Sequence, residues 1–484
     1  MKKPRFPHIH LLPELEWKPV ELPKRMHDFI WSRANLFISL GGALVAYLAL
    51  SGQTELIRRA MAVFIFAAMC WMLEVFPYPI TGLMVPVACA LLGVLKPAAA
   101  FSPFAKEVVF IMIGALVLAE GVKKHRLDRR LALYVLQKSG GDVDGLLLLF
   151  MVTIGFLAMW MTITATVLVL LPTVMTVIAA MPKDQPNIAK KLLIGLALAS
   201  AVGAMGMLSG TPPNLIAADA LGQHGEFSFL KWAYYALPVS LVSLGLAYLV
   251  LRRLFPTRRE TLDMSAIERQ RKEMGPLSPE QSRTLLIFGA TMALYLLGEN
   301  VERFLGLPPS LSSAAVVSIL SVLMLFGAGL LRMDDIRTMR FDLVFLIGGG
   351  LVLGEALLSS GSASMMGGAI ASVASGLPMI GVMMIFLLLT VLLTNFMSNT
   401  ATAAIMVPIA ISVSKSLGTD ALPLVMGSAM AASIAFITPV GTPSTAIIYS
   451  MGGIDKKDLL KAGLITGLLM CLVIAVWLEL APAW

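Results

Sequence analysis

The sequence predicts an all-α polytopic membrane protein: about 11 transmembrane helices and two re-entrant hairpins, arranged as inverted repeats. Three observations predict it. The 484 residues are 58% hydrophobic and only 14% charged, with a mean hydropathy of +0.84; a soluble domain carries about 25% charged residues. The basic residues sort to alternate loops. A short polar motif occurs twice inside long apolar stretches, starting at Trp160 and at Phe396.

Apolar runs near the spanning length of about 20 residues fall at 35–52, 60–76, 80–97, 107–122, 192–209, 232–251, 284–299, 311–331, 341–358, 423–440 and 460–480. The sequence divides accordingly into a polar N-terminal segment 1–34 and a first transmembrane helix 35–54. A first repeat 55–252, a cytoplasmic linker 253–283 and a second repeat 284–484 follow. The N-terminus is Pro-punctuated and has no early apolar region, so no cleavable signal peptide is expected.

With the N-terminus inside, 30 of the 37 Lys and Arg lie in inside loops. The other seven are Arg58, Arg59, Lys96, Lys106, Lys231, Arg303 and Lys415. This asymmetry predicts a cytoplasmic N-terminus and an outside C-terminus in a plasma or inner membrane. It accounts for the net charge of +8 without nucleic-acid binding. Cys70, Cys89 and Cys471 lie scattered in apolar spans and read as small buried hydrophobes.

The two halves align by residue type. The segment from Phe110 matches that from Phe345 at an offset of 235, which pairs Glu120 with Glu355. Thr162, Thr164 and Pro172 pair with Ser398, Thr400 and Pro408 at an offset of 236. Two Gly-Thr-Pro elements, at Gly210 and Gly441, pair at 231. On the charge map the paired segments run in opposite directions, so the repeats are inverted.

Stretches 145–180 and 378–413 are each 36 residues long. That is too long for one span and too short for two with a turn. A re-entrant hairpin resolves the length, the first opening inward and the second outward. Thr162-Ile163-Thr164 and Ser398-Asn399-Thr400 would form the tips. Two kinked full spans, with Ser and Thr bonding back to carbonyls, are the alternative.

Each tip starts a half-helix whose free N–H groups and dipole favour an anion. The Gly-Thr-Pro elements break the spans that follow and free carbonyls for a small cation. No Lys or Arg adjoins either motif in sequence. A dianion there would need other positive charge, and a sodium ion held by carbonyls, Asn399 and hydroxyls supplies it. An uncoupled exchanger could rely on dipoles and donors alone. Glu74, Glu120 and Glu355 read as interfacial or structural, with proton coupling as the other reading.

These motifs, in paired context over residues 35–480, resemble the divalent anion:sodium symporters, the dicarboxylate and citrate carriers. Ser398-Asn399-Thr400, Gly210-Thr211-Pro212-Pro213-Asn214 and the loop from Glu268 to Ser278 carry the resemblance. It implies an elevator-type transporter, a homodimer in the lipid bilayer, that binds a small dianion. It implies substrate contacts from Thr162, Thr164, Thr211, Pro212, Ser398, Asn399, Thr400, Thr442 and Pro443. It also implies a sodium site at Thr394, the Met397 carbonyl, Asn399 and the Gly441 carbonyl. No organic cofactor and no enzymatic activity are implied.

The first half departs from the pattern. Ile163 stands where Asn is expected, and Ala158 where a Ser ligand is expected. Only Thr162 and the Gly210 carbonyl remain as ligands of a first sodium site, which is therefore expected to be weakened or absent. The expected function is secondary active transport of small divalent anions, C4-dicarboxylates such as succinate, malate or fumarate first, coupled to sodium. A dicarboxylate exchanger, a proton-linked carrier, or a carrier of sulfate, citrate or tartrate are the alternatives. A related carrier of arsenite, or one that exchanges sodium for protons, is a nearby reading; a channel is a further one. An intramembrane enzyme lacks support: the spans hold no paired aspartates, no His-Glu metal motif and no Gly-x-Ser-x-Gly.

Overall fold

The computed structural model describes residues 25–138, 142–179, 185–222, 227–257, 265–306, 311, 313–337, 339–374, 376–439 and 441–481. The N-terminal residues 1–24, with His8 and His10, lie outside the described residues, as do Lys183, His224 and part of the linker. Every regular element among the described residues is helical.

After α1 (Arg25–Ala49), ten helices follow in the first half: α2 (Glu55–Met72), α3 (Tyr78–Leu91), α4 (Pro97–Phe101), α5 (Glu107–Lys124), α6 (Leu127–Gln137), α7 (Val143–Ala158), α8 (Ile163–Ala179), α9 (Pro186–Met205), α10 (Pro212–Gly222) and α11 (Phe229–Leu254). A linker helix, α12 (Ser265–Glu273), precedes ten more: α13 (Pro279–Leu305), α14 (Ala314–Gly327), α15 (Met333–Arg337), α16 (Asp342–Ser360), α17 (Ser362–Ala374), α18 (Met379–Thr394), α19 (Asn399–Leu417), α20 (Leu422–Ala431), α21 (Pro443–Ser450) and α22 (Lys456–Leu480).

The elements recur in order. Helices α3 and α14 are both 14 residues long and begin 236 positions apart. Helices α7 and α18 are both 16 residues long at the same offset. Arg126, at φ 56°, turns α5 into α6, and Gly361, 235 positions on at φ 83°, turns α16 into α17. Left-handed backbone is routine for Gly and rare for Arg, yet the fold needs it at both places.

The halves pack by exchange. Helix α3 lies on α16, and α5 lies on α14. A Cβ on Gly82 would stand 2.5 Å from the Phe345 carbonyl oxygen, and one on Gly114 would stand 2.9 Å from Ser318 Cα. Gly82 and Ser318, like Gly349 and Gly114, are partners by offset, so these are one crossing made twice.

Seven helices are long and apolar enough to cross a membrane among the described residues; eight more apolar helices have 10–17 residues. The long set includes α19, the second arm of the 378–413 stretch, so length alone does not separate a span from a hairpin arm. Large apolar side chains face outward, among them Leu91, Phe304 and Leu480, a surface suited to lipid rather than water. All three cysteines are free and buried.

Among the elements that differ from the sequence reading are two in the second half. The run 423–440 is helical only over the ten residues of α20, and an extended stretch then leads to α21. Thr394 and Asn395 hold that stretch by side-chain hydrogen bonds to its backbone, so it needs no helix to satisfy its amides. Helix α17 has no counterpart in the predicted runs, because Gly361 cuts it from α16 and leaves 13 residues.

Candidate functional site

Both hairpin stretches are helix–turn–helix units: α7 packs on α8, and α18 on α19. Their turns, and the breaks before α10 and α21, bring four helix N-termini to one cavity of about 480 Å³. Three of the four starts carry a side-chain cap. Thr162 Oγ1 accepts from Ala165 N at 3.3 Å, and Ser398 Oγ accepts from Ala401 N at 3.1 Å. Thr442 Oγ1 accepts from Thr445 N at 3.1 Å, and Pro212 and Pro443 begin the other two helices. A cap satisfies the third N–H of a helix and leaves the first two without a partner in the helix. The proline starts have no first N–H. The free donors therefore concentrate at Ile163, Thr164, Asn399 and Thr400, where the dipoles add positive potential.

All nine expected substrate contacts line this cavity: Thr162, Thr164, Thr211, Pro212, Ser398, Asn399, Thr400, Thr442 and Pro443. Gly210 and Gly441 line it too. A Cβ at Gly210 would stand 2.2 Å from the Ala204 carbonyl oxygen, and one at Gly441 would stand 2.4 Å from that of Ala435. Each break therefore folds its glycine onto a freed carbonyl.

Of the expected cation ligands, Thr394 and Asn399 are in contact. Thr394 Oγ1 donates to Asn399 Oδ1 at 3.1 Å and to the Ala432 carbonyl at 2.6 Å. Thr394 is fully buried and Met397 nearly so; neither lines the cavity, whereas Asn399 and Gly441 do. Neutral oxygens from an amide, a hydroxyl and carbonyls are the donor set a hard cation takes. In the first half, Ala158 and Ile163 are the partners of Thr394 and Asn399 by offset, and both are buried alkyl groups. Ile163 lines the cavity without a side-chain oxygen.

Asn395 escaped the sequence reading. Its amide nitrogen donates to the Val391 and Ile434 carbonyls at 2.8 and 2.9 Å; its Oδ1 accepts from Ile437 N at 3.1 Å and Thr438 N at 3.3 Å. One buried side chain thus laces the second tip to the second break. Among the described residues the first tip has a single such tie, from Ser209 Oγ to the Met159 carbonyl at 3.3 Å. There Asn214, inside α10, gathers the freed carbonyls of Ala204 and Met207 instead.

Two cations that sequence distance had set apart also reach the wall. Lys123 and Arg340 line the cavity. Each has a carboxylate: Glu120 lies 3.3 Å from Lys123, and Asp342 takes Arg340 through two nitrogens. Glu120 is therefore an ion-pair partner at the rim.

Broken apolar helices whose ends meet around an internal cavity are the architecture of a membrane transporter. Residues 36–484 match the model of the sodium:sulfate symporter transmembrane region, and the chain belongs to that family, the divalent anion:sodium symporters. It is 29% identical over 426 residues to an uncharacterised transporter of Haemophilus influenzae, covering 86% of this chain and 90% of that one. An uncharacterised transporter of Methanocaldococcus jannaschii is 29% identical over 447 residues, covering 91% and 98%. The sodium-dependent dicarboxylate transporter SdcS of Staphylococcus aureus is 28% identical over 438 residues, covering 86% and 84%. Among solved structures, MtrF of Neisseria gonorrhoeae shares the fold with a TM-score of 0.57 at 16% identity, covering 81% of this chain and 83% of that one. The YdaH transporter of Alcanivorax borkumensis does so with a TM-score of 0.52, also at 16% identity, over 81% and 87%.

Proposed function

We propose that this protein is a secondary active transporter of small divalent anions, C4-dicarboxylates first, coupled to sodium mainly through one cation site in its second half. The observation that carries the reading is the convergence of four helix starts and both repeats' motifs on one cavity. Free N–H groups and the hydroxyls of Thr162, Thr164, Ser398 and Thr400 suit two carboxylates, the cavity's two cations being already paired with Glu120 and Asp342. The Thr394–Asn399 contact supports a cation site directly behind a substrate donor, where ion and anion would stabilise each other. The dicarboxylate relative supports this substrate class.

In this reading α7–α8 and α18–α19 are re-entrant hairpins of inverted repeats, entering from the inside and the outside, among about 11 spans. The protein is a homodimer in the plasma membrane, N-terminus inside, and works by elevator-like movement of the hairpin domain. The cavity rim, with Tyr78, Lys123 and Arg340, falls on ends the charge map assigns to the cytoplasm, which supports an inward-open state. Ile163 favours a second reading, a dicarboxylate exchanger or proton-linked carrier. Uptake of labelled succinate into proteoliposomes separates them. We expect an inward sodium gradient to drive accumulation in vesicles that hold no succinate. Uptake that needs internal succinate and ignores sodium would establish the exchanger; no succinate movement in either arm would overturn the substrate class.

A further inference from the structure

Behind the first hairpin tip lies a second cavity, of about 630 Å³. That is within the range of about 300–1,000 Å³ for small-molecule sites. It is bounded by α5, α6, α7, α13 and the linker after α12. Its walls are mainly apolar, with Val122, Leu131, Leu157 and Phe288 among them. Several wall residues also reach the lipid-suited outer surface: Phe156 is 45% exposed and Leu285 50%. The cavity is therefore continuous with the side of the bundle.

Its polar groups are few and unusual. Arg130 lies on one wall, its terminal nitrogens held by the carbonyls of Met274, Gly275 and Pro276. Arg271 stands at the edge, over the Tyr134 ring at 5.3 Å. Asp128 is 2% exposed. Among the described residues Asp128 Oδ2, Arg130 Nε and Trp160 Nε1 are buried without a partner, and all three residues line this cavity. Two guanidinium groups against one carboxyl leave the wall net positive. Buried donors without partners are costly, so the site is incomplete as it stands.

We propose that this second cavity takes the acyl chain of an anionic membrane lipid, entering from the side between α7 and α13, with its head group at Arg271 and Arg130. Basic pockets beside apolar walls in membrane proteins select such lipids. The chain would rest on Trp160 and Met161, which line both cavities. Trp160 also stacks on Phe229 at 6.2 Å and meets Phe288 edge-on at 5.8 Å, so it ties the tip to α11 and α13. A lipid there would touch the rear of residues whose front faces the substrate cavity.

The test reconstitutes the full chain in vesicles of brominated-chain phosphatidylglycerol or brominated-chain phosphatidylcholine and reads tryptophan quenching. The difference between the protein and Trp160→Phe isolates Trp160, which is too buried for bulk lipid to reach. We expect Trp160 to be quenched, and more by phosphatidylglycerol. Filling the cavity with Val122→Phe and Leu131→Phe should abolish the signal. The surface substitution Arg271→Gln should keep the fold and lower the preference for phosphatidylglycerol about fivefold, equivalent to the ~1 kcal/mol of one basic residue at an anionic surface. Absent Trp160 quenching, equal quenching by both lipids, or a preference unmoved by Arg271→Gln would overturn the proposal. None of these outcomes depends on which anion is transported.

Discussion

The two hairpin tips share a backbone and differ in chemistry. Both begin a helix with a hydroxyl cap, and both face one cavity. The second tip has an amide at its first helical residue, Asn399, backed by a buried hydroxyl from Thr394. The first has Ile163 and Ala158 at those places. The second tip is laced to its break through three hydrogen bonds of the Asn395 side chain; among the described residues the first has one bond from Ser209. Duplication preserved the capped helix starts that face the cavity. It did not preserve the side-chain oxygens of Thr394 and Asn399, the proposed cation ligands.

The sharpest way to break this comparison is to remove the side chain at each tip. Asn399→Ala should lower succinate uptake roughly 100-fold, the loss expected when one group serves both ion and anion at about 1.5–3 kcal/mol per charged hydrogen bond. Ile163→Ala removes no donor and should change initial rates by less than about threefold. Equal losses at both tips would show that the cavity uses them symmetrically.

Much of this was legible in the sequence because duplication repeats residue types at a fixed offset. The hairpin lengths, their tips and the nine cavity residues follow from that. Asn395 did not, although it adjoins the motif: its partners lie some 40 residues on, in a stretch that reads as ordinary span. The length of the second break was hidden for the same reason, since the largely apolar residues 432–437 do not announce that side chains satisfy their backbone. Lys123 and Arg340 reach the cavity only through helix packing, which no local pattern encodes.

The lacing predicts unequal stability costs. Asn395→Ala strips one side chain from four backbone groups, two of them fully buried, and should cost about 2–4 kcal/mol. Ser209→Ala loses one long hydrogen bond and should cost less than ~1 kcal/mol. Thermal midpoints in detergent measure both. A small effect at Asn395 would mean the second break holds its shape unaided.

The helices that lead into the hairpins differ too, by less. Asp128 on α6 is buried where α17 has Ala363, its partner by offset. Burial pushes the Asp128 carboxyl up from 3.8 to about 6, against the backbone N–H of Arg129 and the nearby Lys123, which lower it. The folded state therefore prefers the proton more than the unfolded chain does. Asp128 costs little below its unfolded value near 4 and destabilises progressively as pH rises to about 6 and beyond, on the order of 2–3 kcal/mol. Asp128→Asn should remove that slope and raise the thermal midpoint at pH 7. A midpoint that falls equally at pH 4 and pH 7 would instead mark Asp128 as a structural acceptor.

The subtlest consequence lies in coupling. Giving the first tip the second tip's residues, Ala158→Thr with Ile163→Asn, restores a hydroxyl and an amide at the positions of Thr394 and Asn399. The backbone is already suited to it, since both tips are capped alike and Gly210 and Gly441 press onto equivalent carbonyls. Side-chain oxygens are then what separates a cation site from its absence. The double variant should need no rearrangement beyond placing an amide where an isoleucine lay. The expected result is one more sodium ion moved per dianion, read as a shifted reversal potential in proteoliposomes, with rates within about tenfold of the parent. An unchanged reversal potential in a folded, active variant would place the difference between the tips in the lacing by Asn395, which orders one break and leaves the other to Asn214.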